Sequence, residues 1–470
     1  MTKVNIDFNK DFPLNFDKNK KIHFVAVGGI GVSAVAKSLI ELGFQVSGSD
    51  IRPNKNTKAL EDKGARIFIG HDASNIDGAA ALVVSSAIKN DNPEIVEAMR
   101  QNIPIFHRAQ GLKAVLEGLG FDKKPVSIGL TGTHGKTTTT GMTTLIFEMA
   151  KKAPTFLIGG FLPQFHTNAQ AGSGDFAIAE MDESDGTIVI YNTDILLITN
   201  LEVDHVDFYK NGLEQIIDTF EQVVNKTKKI VLNIDDYGCK KLYSKVDKTK
   251  ILTYSIKGEN ADFCAKNIHL KESKTVFDVY KKNEKLGQIE LQVPGIHNVS
   301  NAIGVLMVCL EAGLSFEEVQ NGLQEFVGTG RRFEFVGQKD GVKYYDDYAH
   351  HPTEIKATIS AAKQMNYNKL WLIFQPHTYT RTSTLFNEFS EAFVGVDEVI
   401  LTDIYAAREI DTGVVSSKML SESINKISNN CKYIATFDEI ETYLKENVKE
   451  NDLVLTVGAG TITKLGYKLI

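Results

Sequence analysis

The sequence predicts an α/β protein built as three successive layered units. Three observations carry this expectation. Strand-like apolar runs alternate with helical patterns along almost the whole chain, as in parallel sheets covered by helices. Two strand-to-helix junctions, 28–31 and 129–135, are rich in glycine. The length of 470 residues divides into roughly three domains at about 150 residues each.

The first unit, 1–122, opens on a strand at 22–27. The chain turns through Gly28-Gly29-Ile30-Gly31 and enters a helix over 33–42, closed by Gly43. A second strand at 44–48 ends at Ser49-Asp50, and further strands are expected at 65–69 and 81–85. The second unit, 123–328, begins after the loop 118–125. It carries strands at 126–130, 176–180, 195–199 and 230–233. Residues 251–293 alternate in short runs such as Val276-Phe277-Asp278-Val279-Tyr280, which predicts an antiparallel patch. A helix follows over 298–312. The third unit, 329–470, carries strands at 370–374, 398–401, 433–435 and 453–457.

Composition excludes several classes. Hydrophobic residues make up 43% and charged residues 24%, which rules out a mainly disordered chain. The net charge of −7 leaves no basic excess to hold DNA or RNA, so any anionic ligand must be met by a local pocket. No apolar run approaches the ~18–20 residues that span a bilayer, and the first twenty residues lack the apolar core of a secretory signal. Cys239, Cys264, Cys309 and Cys431 are widely spaced, with no Cys-x-x-Cys pair. They read as thiols of a reduced, cytoplasmic protein.

The most informative segment is Gly129-Leu130-Thr131-Gly132-Thr133-His134-Gly135-Lys136-Thr137-Thr138. It lies between an expected strand and an expected helix, the setting of a phosphate loop. Glycines let several backbone N–H groups face one anion, and the helix presents its positive end to the same point. Lys136 can reach β- and γ-phosphate oxygens, and Thr137 can place its hydroxyl on Mg²⁺. Leu130 stands where the strict pattern has its first glycine, so the loop is a variant.

Two acidic strand ends flank that loop. One is Glu180-Met181-Asp182-Glu183-Ser184-Asp185; the other runs from Thr199 to Asp207 and includes Glu202, Asp204 and His205. In a parallel sheet such ends line the ligand crevice. Glu180 and His205 are the stronger candidates for a metal, and Asp182, Glu183, Asp204 and Asp207 the weaker. Cations are needed if a substrate carboxylate is to approach a triphosphate. The plainer alternative is a solvated acidic loop with helix caps.

In the first unit, Gly29-x-Gly31-x-x-Ala34 follows a strand, and Asp50 ends the next one. The pattern fits a diphosphate, whether of a dinucleotide or of a nucleotide sugar. Ser85, Ser86, Ala87, Ile88 and His71 are further strand-end residues within reach of such a ligand, or simply turns and caps.

Several motifs together resemble one family, the Mur ligases of peptidoglycan synthesis. They are Val27-Gly28-Gly29-Ile30-Gly31-Val32-Ser33, Ser85-Ser86-Ala87-Ile88, and Gly132 to Thr138. Next come Glu180 to Asp185, Thr199 to His205, and Pro294-Gly295-x-His297-Asn298-x-x-Asn301-Ala302. The third unit adds Gly330-Arg331-Arg332-Phe333-Glu334, Asp346-Asp347-Tyr348-Ala349-His350-His351-Pro352 and Phe374-Gln375-Pro376-His377. His134 within the loop and the Tyr-Ala-His-His-Pro run point toward the alanine-adding member.

The resemblance implies a Rossmann-like N-terminal domain for a UDP sugar, a central P-loop ATPase domain with a mostly parallel sheet, and a Rossmann-like C-terminal domain that brings the amino acid. It implies ATP with Mg²⁺, or Mn²⁺ in its place. Gly132, Thr133, His134, Gly135, Lys136, Thr137 and Thr138 would hold the phosphates. Thr137, Glu180 and His205 would hold metal. His297, Asn298 and Asn301 would contact the nucleotide, and Arg332 and Asp347 would reach it from the third domain. Tyr348, His350, His377 and Arg381 would line the amino-acid end. Gly29, Ile30, Gly31, Asp50, His71, Ser85 and Ser86 would meet the UDP sugar.

Two points depart from this pattern or lack an account. Many family members carry Arg where Thr378 stands, which shifts weight to Arg381. The segment Asp403 to Glu409 matches the family without suggesting a role.

The implied reaction joins L-alanine to the lactyl carboxylate of UDP-N-acetylmuramic acid through an acyl phosphate, giving ADP and phosphate. Either His350 or His377 would accept the amine proton. Hinges are expected near Pro125 and at 328–330, in a monomer or weak homodimer. Neither nucleic acid nor membrane is an expected partner. The alternatives are a ligase adding a recycled peptide, an NAD-dependent oxidoreductase built on the first glycine turn, and a nucleotide switch without small-molecule chemistry.

Overall fold

The computed structural model describes all residues except 1–3, 5, 207, 259, 272, 273 and 408. Asp207 and Arg408 therefore lie outside the described residues. The described chain forms three sheets.

The first sheet has strands β1 (Lys21–Val25), β2 (Gln45–Asp50), β3 (Arg66–Ile69), β4 (Ala79–Val84) and β5 (Ile105–His107), in the order β3-β2-β1-β4-β5. All its pairings are parallel. The order reverses on either side of β1, so the crevice beyond its C-terminal end is a ligand position. The glycine turn lies there and leads into the helix Ile30–Glu41.

The second sheet has ten strands. They are β6 (Val126–Thr131), β7 (Thr155–Leu162), β8 (Thr167–Gln170), β9 (Phe176–Glu180), β10 (Ile195–Ile198), β11 (Lys229–Asn233), β12 (Ile251–Ser255), β13 (Phe263–Leu270), β14 (Thr275–Lys281) and β15 (Glu284–Leu291). Strands β6, β9, β10, β11 and β12 pair parallel. Their cores are fully buried runs such as Ile195-Leu196-Leu197-Ile198, as sheets covered on both faces require. The antiparallel expectation holds for β13–β15, whereas β12 belongs to the parallel part. The β7–β8 hairpin was not expected from sequence. It packs against the Ile30–Glu41 helix, where Lys37 Nζ donates to Asn168 Oδ1 at 2.6 Å.

The third sheet has strands β16 (Glu334–Lys339), β17 (Val342–Asp347), β18 (Leu370–Phe374), β19 (Glu398–Leu401), β20 (Cys431–Tyr433) and β21 (Leu453–Val457), in the order β16-β17-β21-β18-β19-β20. Strand β20 lies two residues before its expected place. β16 and β17 form a hairpin at the sheet edge, where exposed positions mask the apolar alternation. Among the described residues no helix is long and apolar enough to cross a membrane.

Candidate active site

Strand β6 runs into the phosphate loop, and the helix Lys136–Met149 leaves it. Gly132 has φ +130°, and a Cβ there would lie 2.2 Å from Thr199 Oγ1. Gly135 has φ +83°, and its Cβ would lie 2.8 Å from Asn301 Oδ1. Only glycine suits either place. The neighbouring strand end braces the loop. His134 N–H donates to Asn200 Oδ1 at 2.8 Å, and Thr199 Oγ1 donates to His134 O at 2.6 Å. No side chain caps the following helix, so its first N–H groups face the loop without a side-chain acceptor.

Lys136 Nζ donates to Gly132 O at 2.7 Å, to Thr133 O at 2.9 Å and to Glu183 Oε1 at 3.0 Å. Burial pulls its pKa down, but Glu183 and Asp182 outweigh that and hold it above the usual lysine value. Thr137 Oγ1 donates to Glu180 Oε1 at 3.2 Å, and Gly159 N–H donates to Glu180 Oε2 at 2.7 Å.

The acidic run after β9 divides its work. Glu180 faces Thr137. Asp182 pairs with Arg108 at 2.6 Å, and Glu183 faces Lys136 and His205. Asp185 accepts from Ser86 Oγ at 2.5 Å and from Thr187 Oγ1 at 2.6 Å. His205 Nε2 lies 3.8 Å from Glu183 Oε1 and 3.7 Å from Asp204 Oδ2. Of the acidic run after β9, the carboxylate beside this histidine is therefore Glu183, which the sequence ranked below Glu180.

Burial pushes the Glu180 and Glu183 carboxyls up, with Lys136 opposing. Glu183 Oε2 is buried and receives no well-directed hydrogen bond. A hydroxyl, two desolvated carboxylates and an imidazole make a donor set that fits a hard divalent cation.

Beyond the loop lies a cavity of about 490 Å³ between the central sheet and the third unit. His134, Gly135, Thr138, His297, Asn298 and Asn301 line its central side. Arg332 and Asp347 line it from the third unit. Gly132, Thr133, Lys136 and Thr137 do not line it. Its apolar faces are Ile256, Val293, Phe326, Phe333, Ala357 and Ala361, of which sequence reasoning singled out only Phe333, as part of a motif. They lie on five separate stretches, with Ala357 and Ala361 sharing one helix, so no local motif announces them as one surface.

Burial, helped by Arg332, lowers His297 to about 4. Burial raises Asp347 to about 6 against the pull of Arg332, and its oxygens accept from Ala349 N–H at 2.7 Å and Phe333 N–H at 2.8 Å.

His134, Glu202 and His351 offer atoms within 4.8 Å of one another, the one such metal-compatible group among the described residues. Their bonding favours ion pairing instead. Burial would lower His134, but Glu354 and Glu202 raise it to about 9, so it is an imidazolium at neutral pH. His351 Nδ1 is already engaged in capping the helix Pro352–Ala362, accepting from Thr353 N–H at 3.3 Å.

On the third unit, where the amino-acid end was expected, His350 and His377 lie with ring centres 5.7 Å apart, and Tyr348 is 5.4 Å from His350. Burial lowers His350 to about 3 and His377 to about 4, so both are neutral. Arg381 is already engaged. It donates to Asp204 Oδ1 from Nε at 3.1 Å and from Nη2 at 2.9 Å, and its Nη1 lies 3.1 Å from His377 Nδ1. Thr378 has φ +66° and caps the short helix Tyr379–Thr384.

In the first unit Gly29 caps the helix that follows β1, Ile30 and Gly31 open that helix, and Ser85 follows β4. Asp50 Oδ2 accepts from Gly28 N–H at 2.9 Å, which folds the carboxylate onto the turn. His71 Nδ1 is 3.1 Å from Glu94 Oε2 and 3.1 Å from Ser49 Oγ, so its ring is committed to a network inside the unit. Arg108, which sequence reasoning missed, reaches within 3.2 Å of where a Gly31 Cβ would stand and bridges the turn to Asp182. Only its place just after the short strand β5 hinted at it.

A glycine turn, a phosphate loop and a third unit closing over a shared cavity are the parts of a nucleotide-dependent ligase, and the chain belongs to the Mur ligase family. It matches the model of the Mur ligase family catalytic domain over residues 21–118, the Mur ligase middle domain over 130–309 and the glutamate ligase domain over 331–460. It is similar to UDP-N-acetylmuramate–L-alanine ligase of Clostridium acetobutylicum, 43% identical over 97% of this chain and 98% of the relative. The enzyme of that name from Acetivibrio thermocellus is 40% identical over 96% of each chain. The crystal structure of UDP-N-acetylmuramate-alanine ligase MurC from Thermotoga maritima matches with a TM-score of 0.82 at 30% identity, covering 96% of this chain and 98% of that one. A murein peptide ligase from Psychrobacter arcticus shares the fold, with a TM-score of 0.70 at 23% identity over 96% of this chain and 98% of that one.

Proposed function

We propose that the protein uses ATP to join L-alanine to the lactyl carboxylate of UDP-N-acetylmuramic acid, releasing ADP and phosphate, in the cytoplasmic synthesis of peptidoglycan precursor. The observation that carries this is the placing of Lys136 and Thr137 directly against Glu183 and Glu180, at the edge of a nucleotide-sized cavity. The similarity to alanine ligases supplies the substrates.

The proposed division runs 1–122 for the UDP sugar, 123–328 for ATP and 329–470 for the amino acid. Gly29, Ile30, Gly31, Ser85, Ser86 and Arg108 would meet the sugar diphosphate, with Asp50 and His71 holding the crevice in shape. The adenosine would fill the cavity between His297, Asn298 and Asn301 on one side and Arg332 and Asp347 on the other. Thr137, Glu180, Glu183 and His205 would hold Mg²⁺, or Mn²⁺, which when bound screens the repulsion between γ-phosphate and substrate carboxylate.

The chain's own residues position and neutralise the reactants. Lys136 exchanges its bonds to Gly132 O and Thr133 O for phosphate oxygens. A lactyl oxygen attacks the γ-phosphorus and ADP leaves. The alanine nitrogen then attacks the acyl carbon and phosphate leaves. The amine must lose a proton, and the hydrogen bonding favours His350 as acceptor. His350 Nδ1 faces Tyr348 O at 3.0 Å, so Nδ1 carries the proton and Nε2 the lone pair. Arg381 donates to His377 Nδ1, which puts the His377 proton on Nε2. Arg381 and Tyr348 would hold the alanine carboxylate end.

The test is ADP release with each substrate omitted in turn. Release should need both the sugar acid and L-alanine for sustained turnover, and a recycled tripeptide should not replace alanine. Hydrolysis indifferent to both would reject the reading.

A further inference from the structure

Glu354, in the first turn of the helix Pro352–Ala362, is a largely buried carboxylate with partners on both oxygens. Its Oε1 lies 3.3 Å from His134 Nδ1 of the phosphate loop and 3.4 Å from Arg332 Nη1. Its Oε2 accepts from His350 N–H at 3.0 Å and His351 N–H at 3.3 Å. One side chain of the third unit thus touches the loop of the central unit, a cation of the nucleotide cavity and the backbone of the amino-acid end.

We propose that Glu354 is a positioning residue that couples docking of the third unit to the charge of the phosphate loop, by holding His134 and Arg332 as two fixed cations beside the nucleotide. This rests on the reading of the cavity as the ATP site. The geometry gives Glu354 two roles that separate cleanly. As the third residue of its helix it completes a capping box, which needs only an acceptor oxygen. As the partner of His134 and Arg332 it must carry a negative charge.

The groups facing His134 are Glu202 from the central unit and Glu354 and His351 from the third, with Arg332 competing for Glu354. Of the two carboxylates, only Glu354 arrives with the third unit. Docking therefore raises the proton affinity of His134, and its imidazolium charge becomes a consequence of closure. In the docked arrangement the cations His134 and Arg332 help outweigh the burial of Glu354 and hold its carboxyl well below the usual range.

Glu354→Gln keeps the capping oxygen and removes the charge. In the full-length protein it should leave Tm unchanged and weaken ATP binding about twofold at pH 8, rising toward about tenfold above pH ~9. The alkaline limb of ATP affinity, expected near pH 9 in the wild type, should move down by about one unit. In a cycle with His134→Gln, the double variant should bind ATP no worse than the weaker single variant. Wild-type ATP affinity and an unmoved limb in E354Q would overturn the proposal, as would two effects that simply multiply. A wild type without ATP affinity would instead sink the functional reading itself.

Discussion

Arg381 and Asp204 meet across the boundary between the third and central units, with the guanidinium donating two hydrogen bonds to one carboxylate oxygen at 2.9 and 3.1 Å. Asp204 is buried, and Arg381 holds its carboxyl far below the usual range against the cost of burial. The next residue, His205, donates its backbone N–H to the same oxygen at 2.7 Å. One carboxylate therefore ties the proposed amino-acid end to the proposed metal cluster. Asp204→Asn should loosen that tie. Steady-state kinetics should show KM for L-alanine raised about tenfold with a smaller change in kcat, because a buried charge loses its partner. An unchanged KM would mean that Arg381 does not depend on Asp204 for its aim.

Lys136→Ala tests the phosphate loop. If Lys136 stabilises the transferring phosphoryl group, turnover should fall by ~10²–10⁴-fold. Rapid-quench measurement of ADP formation reads this step. Full activity in the variant would remove the loop from the mechanism.

Glu183 and His205 make a paired prediction. Glu183→Gln and His205→Ala should each raise the Mg²⁺ concentration needed for half-maximal turnover, by about tenfold. Glu183→Gln should also free Lys136, since its charge partner at 2.9 Å is gone. Mg²⁺ titrations that overlay the wild type would reject both as ligands.

Stability should depend on pH through Glu94. Burial opposes its ionisation, yet His23, His71, Asn75 and Ser49 lower it from 4.5 to about 2. A depressed carboxyl stabilises the folded state above its unfolded pKa, and that contribution is lost as pH falls through the folded value. Glu94→Gln should cost about 3 kcal/mol in urea denaturation at pH 7, and the gap should close between about pH 4.5 and 2. An equal gap at pH 7 and pH 2.5 would contradict the assignment.

Much of this molecule was legible before its structure. The phosphate loop is local in sequence: glycines at 132 and 135, then Lys136 and Thr137, say what the backbone must do there. The acidic strand end at 180–185 was equally visible as a cluster. Its partner choices were not, because Lys136 and His205 select Glu183 over Glu180 only through the spacing of β6, β9 and β10.

Arg108 and Glu354 were hidden for a related reason. Each is an ordinary charged residue on a helix and gains meaning only against Asp182 and Gly31, or His134 and Arg332, on other elements. The pairing of Arg381 with Asp204, 177 positions away, was not visible in the sequence either. The β7–β8 hairpin escaped because Gly159 and Gly160 interrupt its apolar pattern.

The central claim is that the γ-phosphoryl group passes to the lactyl carboxylate before the amide forms. The most direct test uses UDP-N-acetylmuramic acid carrying ¹⁸O in that carboxylate. With ATP, Mg²⁺ and L-alanine, one labelled oxygen should appear in the released phosphate for each amide formed. Amide formation with unlabelled phosphate would contradict the account.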